Sequence, residues 1–198
     1  HVLLEKLMTA TSQQAIALAK LAYENSLVLS VFHNRRWDGD FLTLQQLIQS
    51  GQLGKIKLFK SNFDRFRPDV RDRWREQAGE ATGVLYDLGS HLIDQVLCLF
   101  GAPLAITANC ACLRDDSQAI DYFQLMLHYA NMEIVLESSP FRADPNSRFQ
   151  LQGTKGSYIK YGLDPQEDQL RAGLSPSIPA FGLEAPAYYG KKYRIDES

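Results

Sequence analysis

The chain has 198 residues, of which 45% are hydrophobic and 22% are charged, and its formal net charge is −2. This composition predicts a globular protein with room for one domain and part of another, and the near-neutral charge gives no general attraction for nucleic acid. The apolar runs are too short to cross a bilayer and the first residues lack a signal-peptide pattern, so we predict a cytoplasmic protein that binds neither nucleic acid nor membranes. The odd count of three cysteines predicts free thiols.

The first 35 residues have the pattern of a strand, a helix and a second strand. Residues 1–5 and 27–32 are apolar runs that predict strands, and residues 9–25 space apolar side chains at helical intervals. This order is typical of a βαβ unit, but two strands are too few for a stable parallel sheet. We therefore interpret residues 1–35 as the remnant of a doubly wound domain and expect a further segment before His1.

Residues 36–161 have the pattern of an antiparallel sheet. Two helices are predicted, over residues 41–50 and 83–101. The predicted fold class is α+β, an open-faced and mostly antiparallel sheet with helices on one face, preceded by the βαβ remnant. Four of the eight prolines fall in residues 162–198, which we predict to be an extended, Pro-rich tail. The predicted strands cover residues 56–63, 106–113, 122–129, 132–137, 148–152 and 157–161.

The helix predicted over residues 83–101 carries the most informative polar residues. Asp87, His91 and Asp94 stand at positions i, i+4 and i+7, which places them on one face opposite an apolar stripe. A carboxylate one turn from a histidine can orient the ring and tune its pKa, so this face suits proton transfer or metal binding. Two further interpretations stay open at this point: a metal hydrolase site, and a surface helix with unrelated polar groups.

An arginine-rich stretch precedes that helix. Arg71, Trp74 and Arg75 are candidates for a substrate pocket, because guanidinium groups hold hydroxyls or an anionic group. Acidic residues are interleaved with the arginines, so a solvated, ion-paired loop is the alternative. His33 and His128 lie in strand-like runs and are predicted to pack or to face solvent.

Several motifs occur in an order that resembles the Gfo/Idh/MocA family. They are Glu5-Lys6 after the first strand, Asn34-Arg35-Arg36-Trp37-Asp38 after the second, the Asp87, His91, Asp94 series, and the turn at residues 153–156. The resemblance covers residues 1–161. It implies an NAD(P)-dependent sugar, polyol or cyclitol dehydrogenase, with an N-terminal Rossmann domain and a C-terminal antiparallel substrate and oligomerisation domain.

The resemblance also implies roles for individual residues. Lys6 reaches the nicotinamide and polarises the substrate oxygen, His91 takes the hydroxyl proton, and Asp87 orients or relays. Asp94, one turn further on, is expected to position substrate or the helix itself, and no metal is expected. Leu7 stands where the family has a proline. The residues expected to contact the cofactor are Glu5, Lys6, Asn34 and Arg36.

One family feature is missing from the sequence. No Gly-x-Gly-x-x-Gly follows a strand, so nothing here predicts a pyrophosphate-binding turn. We expect NAD or NADP in the intact protein, none bound to this chain, and no activity of this chain alone. The alternative is a non-catalytic sugar-binding or dimerisation domain of the same fold. The open sheet face predicts a homodimer or tetramer.

Overall fold

A computed structural model describes residues 1–194; the last four residues of the predicted tail lie outside the described part. The chain begins with strand β1 (Val2–Leu4), helix α1 (Ser12–Glu24) and strand β2 (Leu29–Val31). β1 and β2 pair in parallel, so the predicted βαβ unit is present. Thr11 and Gln14 cap the start of α1 in a reciprocal capping box, which satisfies backbone donors that the helix leaves free.

The remaining helices and strands build the larger part of the molecule. A 3-10 turn (Asn34–Trp37) leads into α2 (Gly39–Gln49), β3 (Ile56–Asn62), a second 3-10 turn (Trp74–Glu76) and α3 (Ser90–Phe100). Five strands follow: β4 (Ala105–Ala111), β5 (Tyr122–Tyr129), β6 (Met132–Ser138), β7 (Ser147–Gly153) and β8 (Gly156–Tyr161). The described chain closes with α4 (Gln166–Arg171), a 3-10 turn (Pro186–Tyr188) and β9 (Lys191–Tyr193).

Seven strands form one sheet in the order β4-β5-β6-β3-β7-β8-β9. Every pair is antiparallel except β3 with β6, which is parallel. The predicted fold class, α+β with a mostly antiparallel sheet after a βαβ unit, is therefore confirmed. The parallel pair was not predicted, because β3 and β6 are far apart in sequence and their pairing leaves no local signal.

The core lies between one face of this sheet and helices α2 and α3. Alternate residues of the central strands point into it, as the period of two requires. Leu92 and Val96 of α3 are fully buried there, and truncating Leu92 to alanine is expected to remove about 2–5 kcal/mol of stability. The buried members include Phe41, Leu44, Phe59, Leu92, Val96, Phe123, Ile134, Phe149 and Leu151.

The structure differs from the sequence expectation in two further segments. The helix predicted over residues 83–101 starts with a π-helical turn, Leu85–Gly89, before α3 begins. The segment predicted as an extended tail contains α4 and β9, and β9 joins the sheet beside β8. The division into residues 1–35, 36–161 and 162–198 stays a prediction. No helix within residues 1–194 is long and apolar enough to cross a membrane.

Candidate active site

Lys6 and Asp87 meet although 81 positions separate them in sequence. Lys6 follows β1, and its Nζ donates to the Asp87 carboxylate Oδ1 at 2.5 Å and to the Asp87 carbonyl oxygen at 2.5 Å. Burial alone would raise the pKa of Asp87, but the hydrogen bond and charge of Lys6, with Arg75 and Arg65 nearby, hold it below its usual value. Asp87 is therefore ionised and fixes the Lys6 ammonium. The Lys6-Leu7 peptide bond is cis.

The π-helical turn positions Asp87 relative to the sheet. Gly89 at its end packs against the ring of Phe123, and a side chain at Gly89 would crowd Leu85. Gly83 precedes the turn with a φ of 87°, and a β-carbon there would meet the carbonyl oxygen of Ile120. The turn therefore sits close to the core. Because a π turn holds more residues than an α turn, it changes the angular spacing that a regular α-helix would give its side chains.

His91 lies at the start of α3 and is buried, with 6% of its surface exposed. Its Nδ1 has no hydrogen-bond partner within the described residues. Burial, followed by the charges of Lys6 and Arg35 and by His33, lowers the pKa of His91 to about 3, against the opposing pull of Asp87. The imidazole is thus neutral at physiological pH, so its ring can accept a proton, although the lowered pKa makes it a weaker base than an ordinary histidine.

Asp94 pairs with Arg36, so two residues predicted for different ligands contact each other. Arg36 donates from Nε to Oδ2 at 2.8 Å and from its terminal nitrogen to Oδ1 at 2.5 Å. This bidentate pair ties the turn after β2 to α3. The roles of Asp94 in substrate binding and of Arg36 in cofactor binding stay predictions.

His33 lies beside His91 and Asp94, which the sequence interpretation did not predict. Its Nδ1 lies 3.7 Å from the Asp94 carboxylate, and its ring meets the ring of His91 edge to face with 6.5 Å between centroids. The signal that could have found it is its place directly after β2. Carboxyl ends of parallel strands share one edge, where ligands of such sheets bind. Glu5 and Asn34 follow β1 and β2 at that same edge, Glu5 exposed and Asn34 half-buried.

The three arginine-stretch candidates lie near Asp87. Trp74 is 60% exposed, and the guanidinium of Arg75 stacks on its ring at 4.5 Å. Trp74 and Arg75 line a cavity together with Lys6 and Asp87. Arg71 lines an adjoining cleft that also includes Asp87, and its Nε donates to Glu76 at 2.7 Å.

No group of three or more histidine, cysteine or acidic side chains within residues 1–194 is arranged to hold a metal ion. Asp94 forms an ion pair with Arg36, and Asp87 forms one with Lys6. The described structure therefore does not assemble the acid, imidazole, acid ligand set that the sequence left open.

The family model of the GFO/IDH/MocA C-terminal domain matches residues 41–159, which is more than half of the chain. The chain belongs to the GFO/IDH/MocA family. Among curated proteins it is 47% identical over 191 residues to scyllo-inositol 2-dehydrogenase (NADP(+)) IolW of Bacillus subtilis strain 168, covering 96% of this chain and 53% of that protein. It is 50% identical over 173 residues to the uncharacterised oxidoreductase YdgJ of Escherichia coli K12, covering 87% of this chain and 50% of YdgJ.

Solved structures of GFO/IDH/MocA relatives share the fold. The yvaA protein of Bacillus subtilis superposes with a TM-score of 0.93 at 45% identity, covering 100% of this chain and 56% of that one. An oxidoreductase from Bacillus cereus gives a TM-score of 0.89 at 36% identity, with 98% and 55% covered. The chain thus spans about half the length of the relatives it matches.

Polar residues of the chain gather at the carboxyl ends of β1 and β2. Lys6 and Asn34 lie at the carboxyl ends of two parallel strands, where such sheets bind nucleotides. The unpaired Nδ1 of His91 and that of His33 are buried close by. These polar groups suit the nicotinamide end, whereas the sequence contains no glycine-rich turn for the pyrophosphate.

Proposed function

We propose that this chain supplies the substrate-side half of an NAD(P)-dependent dehydrogenase that oxidises a hydroxyl of a sugar, polyol or cyclitol. The observation that carries the proposal is the ion pair of Lys6 with Asp87 beside a buried, neutral His91. The names of two relatives, a scyllo-inositol dehydrogenase and an inositol 2-dehydrogenase from Rhizobium meliloti, support the substrate class.

The chemistry of each side chain follows from its surroundings. When an alcohol is oxidised, its hydroxyl loses a proton while its carbon loses a hydride; the nicotinamide, when bound, supplies the hydride acceptor. His91 is neutral and takes the proton, with a positioned base worth about 10²–10⁴ in rate. The Lys6 ammonium stabilises the developing negative charge on the oxygen. Asp87 holds the Lys6 side chain in place by a hydrogen bond, and its own charge favours the protonated form of His91.

Four residues are proposed to face the nicotinamide end of NAD or NADP: Glu5, Lys6, Asn34 and Arg36. Because the sequence contains no glycine-rich pyrophosphate turn, we propose that this chain alone binds neither cofactor measurably and does not turn over. Calorimetric titration of the chain with NADH and NADPH tests this. Stoichiometric binding in the micromolar range would contradict it.

The open face of the sheet is proposed to join subunits into a homodimer or tetramer. Outward positions of β5 and β6 carry a mixture of apolar and polar groups, including Met126, which is 37% exposed, and the hydrogen-bonded His128 and Glu133. Sedimentation of wild type and of Met126→Glu tests this assignment. A wild-type monomer at tens of micromolar would contradict it.

The catalytic proposal is tested by fusing this chain to the nucleotide-binding half of IolW and assaying polyols and sugars with both cofactors. Lys6→Ala and His91→Ala are each expected to lower kcat at least about a hundredfold. Lys20→Ala is the control, since Lys20 is exposed on α1 and pairs only with Glu24 within the described residues. Equal measurable rates in all four proteins would contradict the catalytic roles of Lys6 and His91, whereas no oxidation by any of them would favour the non-catalytic sugar-binding domain.

A further inference from the structure

A cleft beside Asp87 carries an excess of positive charge. Its lining includes only three carboxylates, those of Glu76, Asp87 and Asp121. It is bounded by the π-helical turn on one side and by the residues that follow β6 on another. The guanidinium groups that line it belong to Arg65, Arg67, Arg71, Arg73, Arg75 and Arg114.

The three carboxylates are already engaged. Glu76 accepts hydrogen bonds from Arg71 at 2.7 Å and from Arg114 at 2.9 Å. Asp121 accepts from Arg114 Nε at 2.9 Å, and both of these acids have lowered pKa values. Asp87 pairs with Lys6 at 2.5 Å and lies 3.5 Å from Arg75 Nε.

The other three arginines have no such partner. Arg65, Arg67 and Arg73 form no ion pair with any carboxylate in residues 1–194. Arg65 is half-buried with its guanidinium 5.3 Å from the centre of the Phe63 ring. Burial and neighbouring arginines lower the pKa of both Arg65 and Arg67. Arg67 lies near the charges of Arg71 and Arg73, and Arg65 lies near that of Arg67, so an anion among these guanidinium groups is favoured.

Backbone hydrogen bonds anchor the loop that carries Arg65 and Arg67. The amide of Arg65 donates to the carbonyl of Ser139 at 3.1 Å, and the amide of Arg67 donates to that of Pro140 at 2.7 Å. The residue between them, Phe66, forms an isolated antiparallel bridge with Phe141. The loop is therefore anchored to the segment after β6, and the site is organised before binding.

We propose that this cleft is a subsite for an anionic group, a phosphate or a carboxylate, on the same small molecule whose hydroxyl is oxidised beside Lys6 and His91. Guanidinium groups match the oxygens of both anions with paired hydrogen bonds. Arg75, Gly83 and Asp87 line both this cleft and the cavity that contains Lys6, so the two adjoin. The inference rests on the proposed function for the identity of that molecule, but the anion site itself is measurable separately.

The test is calorimetric titration of this chain with glucose 6-phosphate, glucuronate, glucose and inorganic phosphate. At least one of the two anionic sugars is expected to bind about tenfold or more tightly than glucose, with inorganic phosphate competing. The phosphate and carboxylate arms distinguish the two sources of negative charge. Binding of neither anionic sugar more tightly than glucose would overturn the inference.

Substitutions separate a built site from a general charge effect. Arg67→Gln and Arg73→Gln are each expected to weaken the anionic ligand about tenfold and to leave glucose binding unchanged. Lys57→Gln is the control, because Lys57 lies at the opposite end of β3 from the cleft. An equal effect of Lys57→Gln would overturn the inference. Circular dichroism of each variant verifies the fold.

The fused dehydrogenase distinguishes failure of this inference from failure of the proposed function. If only the inference fails, polyols are oxidised and His91→Ala abolishes the reaction, but neutral and anionic substrates share one kcat/KM. If only the catalytic proposal fails, no hydroxyl is oxidised while this chain still binds the anionic sugar and loses it on Arg67→Gln.

Discussion

From the burial of His91 we predict how the free energy of unfolding of this chain depends on pH. The pKa of His91 is about 3 in the folded protein against 6.5 for the ordinary group, so the unfolded state binds more protons between these values. Stability contributed by this group is therefore present above pH 6.5 and is lost as the pH falls towards 3. The substitution that removes the titrating group without removing polarity is His91→Gln.

The magnitude follows from the width of the titration. Each pKa unit corresponds to about 1.4 kcal/mol, so going from pH 7 to pH 4 costs the wild type about 3 kcal/mol through His91 alone. The variant lacks this loss. Other groups titrate in both proteins and cancel in the difference between them.

The assay is urea unfolding of wild type, His91→Gln and His128→Gln at pH 7, 5.5 and 4. His128 is half-buried on the outward sheet face and serves as the matched histidine control. The difference between wild type and His91→Gln is expected to shift by about 3 kcal/mol in favour of the variant at pH 4. If the free energy of unfolding changes with pH by the same amount in wild type and His91→Gln, burial and neighbouring cations do not keep His91 neutral.

Three further outcomes are expected. Lys6→Met raises the pKa of His91, since the ammonium charge lowers it; an unchanged NMR titration of the His91 ring would contradict this. Asp38→Asn is expected to gain stability relative to wild type as the pH rises from 5.5 to 8.5. Burial raises the pKa of Asp38 to about 7, so the wild type loses stability as this carboxyl ionises through that pH. Thermal melts in which the difference between the two proteins is the same at both pH values would count against it. Gly153→Ala destabilises by about 2 kcal/mol or more in urea, because its β-carbon would overlap a backbone carbonyl oxygen, whereas Gly39→Ala, whose β-carbon makes an ordinary contact, does not.

Local patterns in the sequence predicted most of the sheet. The alternation along β5, where Phe123, Leu125 and Leu127 are buried, is a period-two signal, and the two-residue turn after β5 fixes its hairpin with β6. The parallel pairing of β3 with β6 and the addition of β9 to the sheet edge depend on contacts between distant segments, and no local pattern contains them.

The motifs predicted which residues lie at the candidate site, but the sequence did not predict which acidic and basic side chains pair there. The resemblance assigned Lys6 and Asp87 to one site, but nothing in the sequence predicted the contact between these distant residues. The interleaved acids and arginines favoured an ion-paired loop, but Glu76 is shared by Arg71 and the distant Arg114, which leaves other arginines unpaired. Asp94 accepts a hydrogen bond from Arg36, a pairing that depends on how the chain folds and that no local pattern predicts.

We propose that substrate is oxidised at the face formed by Lys6, Asp87 and His91. The most direct measurement is a crystal structure of the fused dehydrogenase with a bound polyol. We expect one hydroxyl of the bound polyol to lie within hydrogen-bond reach, about 2.6–3.2 Å, of both Lys6 Nζ and a ring nitrogen of His91. A polyol bound with every hydroxyl beyond reach of both groups would contradict it.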